Sequence, residues 1–306
     1  WIEKIDLLTF LRDIGKHFSI NNMINKESVK QRIDRDGDGI SYTEFTYMLL
    51  QSYDFSELNR RHNCTIQIGG ADQWGNIVGG VDLTRRLNDS QVFGLTLPLV
   101  TKSDGTKFGK TESGTIWLDS KKTSPYTFYQ FWMNTSDADV YTFLRYFTYL
   151  SIDTIKDIER NDSNTQGRKS AQAILAEEIT RLVHGSDQLS AVKRITSELF
   201  SGNPALLKED DLIQLQQDGL PSARLNPADL NKQTLTNLLS DCGLALSGRE
   251  VKDALTRNAV FINGASKGYE DNMQVVDCFS IKNALFGKFF IVKLGKKKYF
   301  LFELEE

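Results

Sequence analysis

Cysteine is scarce in this chain. The three present, Cys64, Cys242 and Cys278, lie far apart with no Cys-x-x-Cys pair. That excludes a disulfide framework and a zinc knuckle, and it fits a reducing, cytoplasmic setting with no protein-bound metal expected. Long apolar runs are missing too: no stretch of about 18 hydrophobic residues could cross a bilayer, so no membrane partner is expected. The N-terminus, Trp1-Ile2-Glu3-Lys4-Ile5-Asp6, has no positive stretch followed by an apolar one and no methionine, so it reads as a chain already under way rather than a signal peptide. Neither an internal repeat nor a low-complexity segment is evident.

What is present is a soluble, globular composition: 306 residues, 40% hydrophobic and 25% charged, enough for two or three domains. The net charge of −3 is uneven. Residues 232–306 hold 11 Lys and Arg against 9 Asp and Glu, whereas residues 1–231 hold 26 against 31. This favours an anionic partner for the tail, with a solvated face as the plainer reading.

The rest of the chain is organised around Ile66 to Asn76, where a β-branched run meets Gly69-Gly70 and then Asp72-Gln73. A strand ending this way delivers backbone N–H groups and polar side chains to a ligand at a helix start. A helix over 77–87, interrupted by Gly79 and Gly80, and a strand over 93–100 follow, the order of a parallel α/β sheet. Upstream, short helices are expected over 6–18 and 20–33. Asp34 to Glu44 approximates a calcium loop, but Glu44 falls at position 11 instead of 12, and Ser41-x-x-Glu44 reads as a capping box for a helix over 42–53. On that helix Tyr47, Gln51 and Asp54 point one way, which suits either buried hydrogen-bonding residues or a ligand site. The loop Lys102 to Gly114 has Lys107 and Lys110 on a glycine-flexed segment after a core strand; it suits either clasping of phosphates or simple solvation.

From 124 to 200 the pattern turns helical: an aromatic helix around Tyr126, Phe128, Phe131 and Trp132, then helices over 140–150, 171–184 and 189–200, with Asp157 to Arg168 expected as a loop. Residues 201–231 hold three of the five prolines and read as a linker. Beyond 232 come helices over 236–242 and 248–257, a strand over 260–262 and a hairpin over 289–302 turning at Gly295. Lys296-Lys297-Lys298 makes that hairpin basic, or merely soluble.

Taken together, Gly69 to Asn76, Tyr47-x-x-x-Gln51-x-x-Asp54 and Lys107-Phe108-Gly109-Lys110-Thr111 resemble the bacterial and organellar tyrosyl-tRNA synthetases, from about Leu8 to the C-terminus. The resemblance implies an α/β fold: a partial Rossmann-like parallel sheet in a catalytic domain (1–123), an all-helical anticodon-side domain (124–200), a linker (201–231) and a small α+β RNA-binding module (232–306). It also implies ATP-dependent ligation of tyrosine to tRNA(Tyr) by a homodimer, with magnesium accompanying ATP and no assignable protein ligand for it. Asp54 then reads the phenol, Tyr47 and Gln51 hold the amino end of tyrosine, and Gln73 contacts the carboxyl or adenylate side. Asp72 binds the ATP ribose, Gly70 lets the nucleotide approach, and Lys107, Lys110 and Thr111 stabilise the pyrophosphate.

The terminal module, with Ser247 to Leu255 and then Val260 to Gly264, resembles the small RNA-binding fold shared with a ribosomal protein. There Arg249, Lys252, Arg257 and Lys296 to Lys298 face phosphates. One departure stands out: His17, His62 and His184 form no His-x-Gly-His signature, so the first strand, its helix and part of the tyrosine pocket are expected ahead of Trp1. The chain alone is then expected to be inactive in adenylate formation. A noncatalytic RNA-binding protein is the alternative, and a calcium module comes third.

Overall fold

The computed structural model describes residues 1–34, 39–106, 108, 110–111, 114–165, 170–201, 203–231, 233–273 and 275–305. It forms two units, Trp1–Phe108 and Gly109–Glu306. In the first, Asp6 caps a run that begins as α1 (Leu7–Thr9), widens to a π turn at Phe10–Ile14 and tightens to a 3₁₀ turn at Gly15–His17. Next come α2 (Ile20–Ile24), α3 (Glu27–Ile33) and α4 (Tyr42–His62). Ser41 caps α4 as the sequence predicts, its hydroxyl accepting from the Glu44 N–H at 3.1 Å. Residues 35–38 of the calcium-like stretch lie outside the described residues, and the Glu44 carboxylate pairs with Arg32 at 2.7 Å. Helix α4 runs past its predicted end, stopping only where Asn63 turns left-handed (φ 53°).

Strand β1 (Ile66–Gly70), helix α5 (Trp74–Asn88) and strand β2 (Phe93–Leu97) form the expected crossover. The strands pair in parallel, Ile66 opposite Phe93 and Gly70 opposite Leu97. Contrary to the sequence reading, Gly79 and Gly80 do not interrupt α5. A Cβ at Gly80 would stand 2.9 Å from Phe55 Cδ1, and one at Gly79 would stand 2.8 Å from Ser52 Oγ, so these glycines let α5 lie close against α4. Phe10, Ile14, Met23, Met48, Leu49 and Leu83 form the core beside them. One face of the strand pair meets α5 through Gly69, Gly94 and Ile77. The other presents Ile66, Ile68, Phe93, Leu95 and Leu97, which are 50–62% exposed.

The second unit opens with a short antiparallel pair, β3 (Lys110–Thr111) and β4 (Gly114–Thr115). Helices α6 (Pro125–Met133), α7 (Val140–Phe147), α8 (Ile152–Ser163) and α9 (Ala171–Ser201) follow. Trp132 meets Phe128, Phe143 and Phe147 edge-on, at centroid distances of 5.2 to 6.3 Å. Gly185 (φ 85°) breaks α9 into the two helices that the sequence predicts. The loop expected from Asp157 is helical up to Ser163. Ser151 caps α8 and Ile155 is fully buried, so the polar residues are the outer face of an amphipathic helix.

Residues 201–231 are not a linker. They form α10 (Glu209–Gln214), a π turn at Leu215–Gly219, β5 (Ser222–Leu225) and α11 (Pro227–Leu230), with Leu207, Leu212, Leu215, Leu225 and Leu230 buried. The prolines stand at element starts: Pro227 is the first residue of α11, Pro204 opens a 3₁₀ turn and Pro221 precedes β5. A buried pair also ties the segment down, Arg194 donating to both Asp211 oxygens at 2.7 Å while Asp211 also accepts from the Lys208 N–H at 2.8 Å.

The terminal elements are α12 (Leu235–Asp241), α13 (Gly248–Thr256), β6 (Val260–Ile262), β7 (Ala265–Lys267), α14 (Val275–Cys278), β8 (Phe289–Leu294) and β9 (Lys298–Leu304). They build a sheet in the order β5-β9-β8-β6-β7. Strand β8 is its spine, with Phe289 to Val292 buried on both faces. Among the described residues no helix is long and apolar enough to cross a membrane.

Candidate functional site

Helix α4 carries Tyr47, Gln51 and Asp54 along one line, beside the buried Met48, Leu49 and Phe55. Tyr47 is 58% exposed, and Gln51 and Asp54 are half-buried. Gln51 Oε1 accepts from Asn76 Nδ2 at 3.1 Å, and the same amide reaches Gln73 Oε1 at 3.3 Å. Gln73 in turn donates to Asp72 Oδ2 at 3.1 Å. Four side chains thus run in series from α4 to the turn that follows β1. Sequence reasoning placed Gln51, Gln73 and Asp72 here but missed Asn76 as the bridge. Its position in the first turn of α5, three residues after Gln73, was the available signal, since residues three apart on a helix are neighbours.

Asp54 sits one turn beyond Gln51 and does not join that series. Its Oδ1 accepts from the Trp1 indole N–H at 2.8 Å, and the Arg61 guanidinium lies 5.2 Å over the Trp1 ring. Trp1 was not anticipated. A Cβ at Gly70 would stand 2.5 Å from Asp72 Oδ1 and 3.0 Å from Leu99 Cδ2, so a side chain there would push the exposed Asp72 carboxylate aside.

The lysine loop starts as a tight turn. Lys102 N–H donates to the Thr106 carbonyl at 2.9 Å, Gly105 takes φ 80°, and Asp104 Oδ1 accepts from the Thr106 N–H and hydroxyl at 2.8 and 2.6 Å. Those two bonds hold the Asp104 carboxyl below its ordinary range. Lys107 lies outside the described residues. Lys110 and Thr111 belong to β3 in the second unit, and only their backbone is described.

In the terminal module Ser247 caps α13, and Arg249 and Lys252 are exposed along that helix. Arg257 donates from Nε to the Asp253 carbonyl at 3.0 Å, which fixes its guanidinium at the end of the helix. Lys296 and Lys297 occupy the turn between β8 and β9. Lys298 is different: it pairs with Glu250 at 2.6 Å, bracing the hairpin on α13 and spending its charge there. That bond and the Leu246 N–H hold the Glu250 carboxyl below its ordinary range.

The profile described as "tRNA synthetases class I (W and Y)" matches residues 1–201, and "Tyrosine--tRNA ligase SYY-like C-terminal domain" matches residues 211–302. The chain is 57% identical over 305 residues to the tyrosine–tRNA ligase of Aliivibrio salmonicida, covering 99% of this chain and 69% of that protein. With the Escherichia coli ligase it shares 52% over 301 residues, 98% of this chain and 69% of the relative. A C-terminally truncated mitochondrial tyrosyl-tRNA synthetase of Aspergillus nidulans superposes with a TM-score of 0.55 at 36% identity, over 65% of this chain and 56% of that one. The chain belongs to the class I tyrosyl-tRNA synthetase family.

Proposed function

We propose that this chain serves the ATP-dependent ligation of tyrosine to tRNA(Tyr) through a tyrosyl-adenylate. The observation that carries the reading is the series Gln51, Asn76, Gln73, Asp72, which couples the polar line of α4 to the turn after a parallel strand. Asp54 accepts the phenol through Oδ2, its Oδ1 being held by Trp1. Tyr47 and Gln51 take the ammonium of tyrosine, Gln73 faces its carboxylate and Asp72 binds the ribose beside Gly70. The carboxylate attacks the α-phosphorus, the bond to pyrophosphate breaks, and Lys107, Lys110 and Thr111 meet the charge that develops there. Positioning and electrostatics supply the rate with no covalent nucleophile. Magnesium arrives on the phosphates of ATP.

A parallel sheet is normally covered on both faces. The exposed side of β1 and β2 is therefore the seat for the remainder of the α/β fold, which completes the pocket. Leu7, Leu8, Ile20 and Tyr42, 63–73% exposed, supply the surface on which a second copy packs. Arg249, Lys252, Arg257, Lys296 and Lys297 meet tRNA phosphates, with Lys298 bracing them.

Tyrosine-dependent ATP–pyrophosphate exchange, measured on a full-length synthetase carrying this sequence, tests the reading. Activity is expected, and Asp54→Ala should erode the preference for tyrosine over phenylalanine at least about tenfold, since the phenol loses its half-buried acceptor. No exchange in the unsubstituted protein, alongside intact tRNA binding, would leave an RNA-binding protein.

A further inference from the structure

We propose that Lys26 is an acylation site, a nucleophilic amine set in a cationic cleft that takes acyl phosphates. The cleft, about 520 Å³, lies in the first unit and is lined by Lys16, His17, Lys26, Gly79, Asp82 and Arg86 among others. None of these residues has a role in the tyrosine and ATP reading. Lys26 is half-buried, and its Nζ donates to the Gly75 carbonyl at 2.6 Å and to Met48 Sδ at 3.5 Å. A carbonyl and a thioether fix the amine in place but stabilise its charge less than a carboxylate would. Burial accordingly pushes the Lys26 ammonium below its ordinary range, enlarging the share of neutral amine.

The walls supply the second requirement. Asp82 is the acid of the cleft, and its two oxygens are committed to Arg85 and Arg86, each at 2.8 Å. One carboxylate shared between two guanidiniums leaves that trio one net positive charge, and with Lys16 it forms a rim that attracts a dianionic leaving group. In the reaction the Nζ lone pair attacks the acyl carbon. The bond from that carbon to the phosphate oxygen breaks, and its electron pair leaves on inorganic phosphate. The nitrogen then gives its extra proton to solvent, leaving an Nε-acyl-lysine amide. The product removes a positive charge and adds bulk beside Gly75, the neighbour of the bridging Asn76.

The test treats a full-length synthetase carrying this sequence with acetyl phosphate near neutral pH and follows each lysine by peptide mass spectrometry. Lys26 should acquire acetyl about fivefold faster than exposed Lys4 and Lys156, and the preference should vanish in denaturing urea. A Lys26 rate no greater than theirs overturns the proposal. A Lys16→Ala/Arg86→Ala variant with unchanged circular dichroism should lose most of the acetyl phosphate rate at Lys26 while keeping its rate with the neutral ester p-nitrophenyl acetate. Equal rates with acetyl phosphate in the variant and the parent would overturn the role given to the cationic rim. The measurement involves neither tyrosine nor ATP, so its outcome is independent of the ligase reading.

Discussion

Gly80→Ala separates two effects of opposite sign. In an exposed helix interior the change stabilises by about 1 kcal/mol, through helix propensity and a less flexible unfolded chain. Here the added Cβ would stand 2.9 Å from Phe55 Cδ1 and 3.2 Å from Phe55 Cβ. Phe55 is only 1% exposed, so the ring has nowhere to swing, and overpacking of this kind costs about 1–3 kcal/mol. The clash should win by about 1 kcal/mol, a roughly fivefold loss of protection. Native-state hydrogen exchange across Ile77 to Arg86 is the suitable assay, because a chain of two units need not unfold in one transition. Phe55→Leu in the same chain should restore part of the loss, giving a coupling energy that neither single change shows. A Gly80→Ala chain with greater protection in α5 than the parent would refute the close contact between α4 and α5.

Two further outcomes follow from the second unit. Asp211→Asn leaves the half-buried Arg194 without its carboxylate and should destabilise by about 3 kcal/mol in urea denaturation followed by the aromatic circular dichroism of the Trp132 cluster; an unchanged midpoint would remove Asp211 as the clamp between α9 and α10. His184 packs edge-on to Phe128 with ring centroids 4.8 Å apart, its Nε2 makes no hydrogen bond among the described residues, and burial pushes its pKa below the ordinary 6.5. The unfolded chain therefore takes up a proton that the folded chain resists, so stability is full above about pH 6.5 and falls as the pH drops below it. His184→Phe should flatten that slope in thermal melts between pH 7 and pH 5, and a slope identical to the parent's would assign the titration elsewhere.

Local chemistry was legible in the sequence, and long-range pairing was not. The cap at Ser41, the strand, helix and strand around Gly69-Gly70, and the hairpin turning at Gly295 each rest on neighbouring residues, and the structure has them where the pattern put them. The 201–231 segment misled because prolines that open elements look the same in sequence as prolines that prevent them. What decided the matter was burial of Leu207, Leu212 and Leu215 against Ile195 and Leu199 of the preceding helix and against Leu301, a partner remote in the chain. Gly79 and Gly80 misled for the same reason, since their purpose lies in Phe55 and Ser52 across the helix pair. The candidate site divides along the same line. Tyr47, Gln51 and Asp54 follow from helical spacing, but Asn76 reaches Gln51 across 25 positions and Trp1 reaches Asp54 across 53.

The apolar side of β1 and β2 separates what a substitution does to folding from what it does to the solution. Leu95, half exposed, contributes little to the first unit's own core, so Leu95→Lys should fall within about 0.5 kcal/mol of the parent in stability. The same lysine would make the chain more soluble, by breaking a contiguous greasy surface beside unpaired strand edges. If selection acted on this unit alone, that exchange would cost nothing and be readily accepted. Five large apolar side chains on one face thus add little to the unit's own folding while costing it solubility, which marks that face as a surface for contact.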